Sequence, residues 1–126
     1  MYAARPRTCR LYPITVGPGQ HGREFEYLLC REKLHHFVGG TVRTKNWLRE
    51  NFKQEDQEFV RAEYEAIAKL GRLIAKVPEH RGPRAISAML FARYYNFDLD
   101  LPFMLQFRSN MDLLDTQLTK LIQEGR

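Results

Sequence analysis

Phe59, Val60, Tyr64, Ile67, Leu70, Leu73, Ile74 and Val77 recur at helical spacing, and Pro78 follows directly. Such a stripe fits one face of an α-helix of about five turns. Glu55, Asp56 and Glu58 crowd its beginning, where the positive end of the helix dipole favours carboxylates. Pro78 closes it, because a residue preceding proline avoids the helical region. An amphipathic helix of this length must bury its apolar face on something, so the chain has to supply packing partners.

The flanking segments supply them at the same spacing. Tyr27, Cys30, Leu34, Phe37 and Val38 predict a helix from Gly22 to Val38, ended by Gly39-Gly40. Trp47, Leu48 and Phe52 give the apolar face of a short helix from Val42 to Phe52; Lys53–Asp56 is either a break or a continuation into the next helix. Gly82-Pro83 opens a fourth helix, proline being tolerated in a first turn. Ile86, Met89, Leu90, Tyr94 and Phe97 form its expected inward face, and Asn96 to Pro102 a loop. Phe103, Met104, Leu105 and Phe107 follow as a dense apolar patch. Ser109 and Asp112 stand in capping-box relation ahead of a last helix with the stripe Met111, Leu114, Leu118, Leu121 and Ile122. No alternating run with turn signals supports a sheet. The expected class is all-α: four or five helices in a small irregular bundle, one domain over residues 22–126.

Residues 1–21 differ from that body. The first 23 residues hold Arg5, Arg7, Arg10 and Arg23 and no acid, so they carry +4 of the net charge of +5. The other 103 residues balance 16 basic against 15 acidic side chains. Pro6, Pro13, Gly17, Pro18 and Gly19 disfavour a helix and predict an extended arm. The arm shares the Arg-rich, acid-free character of a mitochondrial targeting segment, although its prolines oppose the amphipathic helix such segments form. Leu11, Tyr12, Ile14 and Val16 suit packing against another surface.

Catalytic and metal signatures are weak. Cys9, His21, Cys30 and His35 lack paired-ligand spacing, so a zinc site has little support. Two cysteines do not make a disulfide framework, and no apolar run reaches the length of a membrane span. Asp98 and Asp100 read as turn-capping residues. The glycine pairs lack the Lys-Ser/Thr and preceding strand of a phosphate loop. Arg84, Arg93 and Arg108 interleave with aromatic residues, a pattern that can stack bases and pair phosphates but that at helical spacing predicts core or partner docking. One Trp, eight Phe and six Tyr exceed what one small core needs, so part of this set should face partner subunits.

Two resemblances point the same way. Val77-Pro78-Glu79, the Arg84–Arg93 helix, Leu101-Pro102 and the segment from Leu113-Leu114 to Glu124 resemble the 14-kDa matrix-side subunit of mitochondrial respiratory complex III over residues 77–124. Leu48-Arg49-Glu50-Asn51-Phe52 is similar to the Arg-x-x-Phe segment of the LYR family of small mitochondrial helical proteins, with Tyr27-Leu28-Leu29 near the place of that family's name-giving tripeptide. The resemblances imply a non-catalytic accessory subunit, without cofactor or metal, on the matrix side of the mitochondrial inner membrane. In that reading Arg5, Arg7 and Arg10 pair with acidic neighbours or anionic lipid headgroups, Leu11, Tyr12 and Ile14 pack in a partner's groove, and Arg84, Arg93, Phe103 and Phe107 complete the partner surface. Trp47, Tyr94, Phe97, Phe103 and Phe107 are expected to be buried in the chain's own core and against partners, with Tyr94 on the inward face of its helix. Alternatives are a mitochondrial ribosomal protein whose arm contacts rRNA, a LYR-like assembly factor, and a small enzyme or carrier with a lipid or quinone pocket near Phe103–Phe107.

Overall fold

A computed structural model describes residues 7–20, 24–30 and 43–124. Most of these are helical, and they fall into two compact units divided between Tyr64 and Glu65.

The first unit begins with a short helix, α1 (Arg7–Leu11), and turns through Tyr12-Pro13, whose peptide bond is cis. Strand β1 (Ile14–Pro18) then pairs antiparallel with β2 (Phe25–Leu29), Ile14 opposite Leu29 and Pro18 opposite Phe25. The Gly19 N–H donates to the Glu24 carbonyl at 2.6 Å, and the Cys30 N–H to the Pro13 carbonyl at 2.8 Å, extending the ladder at both ends. A Cβ on Gly19 would stand 2.8 Å from the Glu24 carbonyl oxygen, so this turn requires glycine. Helix α2 (Thr44–Asn51) and the first part of α3 (Gln54–Ile74) contribute Leu48 and Val60 to a cluster shared with the hairpin. Leu11, Val16, Phe52 and Val60 form the buried cluster, with Ile14, Phe25 and Leu48 against it.

Two sequence expectations change here. Over its described residues the arm is not an extended, irregular chain: α1 and β1 fold this stretch into the unit. Leu11, Ile14 and Val16 pack with Leu48, Phe52 and Val60 of the same chain. The helix expected from Gly22 to Val38 is replaced over Phe25–Leu29 by β2. Phe25-Glu26-Tyr27-Leu28-Leu29 carries apolar residues at both helical and strand positions, and the nonlocal ladder with β1 decides between them. Residues 31–42, including Gly39-Gly40, lie outside the described residues. At residues 53–56 the chain breaks. The Lys53 N–H donates to Asp56 Oδ2 at 3.0 Å, half of a capping box that starts α3 afresh.

In the second unit, α3 runs to Ile74 as its stripe and Pro78 predict. A single 3₁₀ turn (Glu79–Arg81) leads into α4 (Gly82–Leu90), continued by a π-helical turn (Phe91–Tyr95). After an irregular segment, α5 occupies Phe103–Gln123. The core joins Leu70, Ala85, Ala92, Leu114, Leu118 and Leu121, with Leu73, Val77, Ala88, Met89 and Met111 beside it.

The face α4 buries matches the predicted one only at Met89. Ala85, Ala88, Met89 and Ala92 lie at helical spacing toward the core, while Ile86, Leu90 and Tyr94 point outward. Three alanines let the backbones of α4 and α5 approach closely, an arrangement that a count of large apolar residues misses. The start of α5 also moves. It begins directly after Pro102, so Ser109 is an exposed mid-helix residue rather than a cap.

Candidate partner-docking surface

The arm residues expected to meet a partner are mostly engaged within their own unit. Arg7 lies over the Phe59 ring at 5.0 Å from its centroid. Arg10 pairs with Asp56 at 3.0 Å, both side chains about five-sixths buried. Leu11 is 2% exposed, and its carbonyl accepts from Trp47 Nε1 at 3.2 Å. Ile14 packs on the same cluster, and Tyr12 stays over one-third exposed. Arg5 lies outside the described residues.

The second unit brings several of its candidates together. Phe103 stacks between Phe97 and Phe107, at centroid distances of 5.1 and 5.9 Å. Phe107 is buried, Phe97 half-buried and Phe103 exposed. Arg93 sits over the Tyr94 ring at 5.6 Å. Arg84 is exposed on α4 and has no ion-pair or hydrogen-bond partner among the described residues. Tyr94 is 65% exposed, which corrects its expected burial: it belongs to the outer row of α4 and its π-helical continuation. Trp47, in the first unit, is only half-buried.

What these placements leave uncovered is a large amount of apolar surface. Ile86, Leu90 and Tyr94 recur every four residues along the outside of α4 and the π turn. Tyr95, Leu99, Leu101 and Leu105 add more, with Leu99 99% exposed. Scattered single apolar side chains are ordinary, whereas these stand close together within one small unit.

The segment that carries Leu99 and Leu101 is held firmly. Gln106 reaches from α5 to accept from the Asp98 N–H at 2.7 Å and to donate to the carbonyls of Asp98, Leu101 and Pro102 at 3.0–3.2 Å. Asp98 Oδ1 accepts from the Asp100 N–H at 2.9 Å, so this pair caps a turn. Asn96 and Asn110 exchange hydrogen bonds at 2.8 and 2.7 Å, joining the end of the π turn to α5. The exposed Leu99 and Leu101 are therefore carried on a loop braced by hydrogen bonds. Sequence reasoning missed Gln106 and Asn110, because a glutamine or asparagine inside an amphipathic helix carries no mark of a distant partner.

No three His, Cys, Asp or Glu side chains converge among the described residues. Cys9 is exposed and Cys30 half-buried, while His21 and His35 lie outside the described residues. No helix among the described residues is long and apolar enough to cross a membrane. No protein-family model, curated protein or solved structure matches the chain.

Proposed function

We propose that this chain is a non-catalytic accessory subunit of a larger assembly, and that the assembly is a respiratory-chain complex on the matrix side of the mitochondrial inner membrane. The observation that carries the accessory role is the exposed apolar surface of the second unit, from Ile86 to Leu105, held on braced elements. Burial of such residues against a partner contributes roughly 25 cal/mol per Å² of apolar area, a gain unavailable to the free chain. The mitochondrial and respiratory part rests on the resemblance of residues 77–124 to the complex III subunit. The ribosomal alternative relies on the arm's arginines, and Arg7 and Arg10 already have partners within the chain. A LYR-like assembly factor would use the same exposed surface transiently.

Affinity purification of the tagged protein from cells that express it separates these readings. Stoichiometric recovery of respiratory-chain subunits is the expected result. Ribosomal proteins in their place would establish the alternative. Recovery of the chain alone, at its own mass, would end the accessory-subunit reading.

A further inference from the structure

Beside the outer apolar row of α4, an open groove of about 430 Å³ runs between α4 and α5. Arg84, Ser87, Ala88 and Phe91 line one side, spaced i, i+3, i+4 and i+7. Gln117, Lys120, Leu121 and Glu124 line the other with the same spacing. Two helices thus present matching stripes, and the chemistry of those stripes is mixed. A volume of this size falls within the range of small-ligand sites, roughly 300–1,000 Å³.

Three features define what would fit. Arg84 has no partner among the described residues, and Lys120 makes only a 3.7 Å contact with Glu124. Glu124 is held mainly by Arg81, at 3.1 Å, so the groove keeps a surplus of positive charge. The second feature is Gln117 Oε1, which is buried with no hydrogen-bond partner among the described residues. A buried acceptor without a donor is uncommon and costly, and rotation of its amide toward the groove would let a ligand donor satisfy it. The third is an apolar floor of Ala88, Leu121 and the half-exposed Phe91.

We propose that this groove binds the headgroup of an anionic phospholipid that carries hydroxyl donors, of the phosphatidylglycerol class. The phosphodiester lies between Arg84 and Lys120, a headgroup hydroxyl donates to Gln117 Oε1, and the start of an acyl chain covers Phe91. Guanidinium groups suit phosphate because their paired N–H donors match its oxygens. The surroundings favour a lipid over a soluble anion. Residues 82–95 contain Arg84 and Arg93 and no acid, and their exposed Ile86, Leu90 and Tyr94 suit the boundary between headgroups and acyl chains. This inference does not rest on the accessory-subunit reading: the groove residues Arg84, Gln117 and Lys120 lie outside the row of Ile86, Leu90 and Tyr94 that both readings share, and partner protein would then cover the surface from Tyr95 to Leu105.

The test is a titration of the full chain with dihexanoyl phosphatidylglycerol, followed by NMR through the Gln117 side-chain amide. Dihexanoyl phosphatidylcholine, glycerol phosphate and poly-glutamate serve as comparisons. The expected result is saturable binding of the glycerol lipid, at least about tenfold tighter than the choline lipid. Arg84→Gln or Lys120→Gln should weaken it about tenfold each, as expected for loss of a charge-assisted contact. Gln117→Leu should weaken it less, and Arg49→Gln, on α2, not at all. Circular dichroism of each variant verifies that it folds. Absence of saturation, equal affinity for the choline lipid, or equal affinity for poly-glutamate would overturn the proposal. Equal affinity for glycerol phosphate would overturn the lipid assignment and leave a site for soluble phosphate esters.

Discussion

The orientation of α4 makes a quantitative prediction, because two neighbouring positions should respond in opposite ways to a reading based on residue size. Ala92 is 0% exposed in the second unit's core, and Ile86 is 59% exposed on the outer row. Replacing Ala92 with leucine forces three extra carbons into a close helix contact, which costs about 1–3 kcal/mol. Replacing Ile86 with alanine removes a side chain that is about two-fifths buried. Full burial of such a side chain stabilises by roughly 1.5–3 kcal/mol, so the loss is about 1 kcal/mol. Alanine's higher helix propensity returns about 0.4 kcal/mol, leaving a net effect near 0.5 kcal/mol. Urea denaturation followed by far-UV circular dichroism, with both variants fitted at a common slope, measures the two values. A larger loss for Ile86→Ala than for Ala92→Leu would refute this orientation of α4, and with it the exposed apolar row.

Three further substitutions probe the contacts that shape each unit. Asn110→Ala removes both hydrogen bonds to Asn96 from a residue 5% exposed; the expected cost is about 1–3 kcal/mol, with faster amide exchange through the π turn. Arg81→Gln releases the C-terminus of α5, where Arg81 donates to the carbonyls of Leu121 and Glu124 at 3.3 and 2.9 Å. It should cost about 1 kcal/mol and speed exchange only in the last turn of α5, which hydrogen exchange with peptide mapping can locate. Trp47→Phe deletes the donor to the Leu11 carbonyl and should lower first-unit stability by about 1 kcal/mol in thermal melts.

The parts of this fold legible in the sequence are those set by local chemistry. Helix α3 declares itself by an uninterrupted stripe and a terminal proline, and α4 by proline in its first turn. The last helix shows the Leu114, Leu118 and Leu121 stripe that becomes its buried face. Features decided by distant partners were not legible. The β1–β2 hairpin depends on a ladder between segments whose side-chain pattern also fits a helix. Ser109 and Asp112 have the residue types of a cap, but the helix had already begun after Pro102, and packing of Met104 and Phe107 carries it through. The inward face of α4 was misread because hydrophobicity ranks isoleucine and leucine above alanine, whereas a close crossing selects for small volume. The arm's composition correctly marked it as distinct in charge. Arg7 and Arg10 nevertheless lie against Phe59 and Asp56, residues some 50 positions away that no local pattern connects to them.

Charge placed on the exposed leucines of the second unit would show whether partner protein covers them. Leu99→Asp with Leu105→Asp alters side chains that are 99% and 69% exposed, so the fold should tolerate both. Wild-type and variant chains, expressed at native level, would be followed by size-exclusion chromatography of gently lysed cells. The wild type should elute with a large assembly, and the variant, unchanged in circular dichroism, near its own mass of 14.9 kDa. A wild-type chain that elutes as a free monomer, or a variant that remains in the assembly, would contradict partner coverage of these leucines.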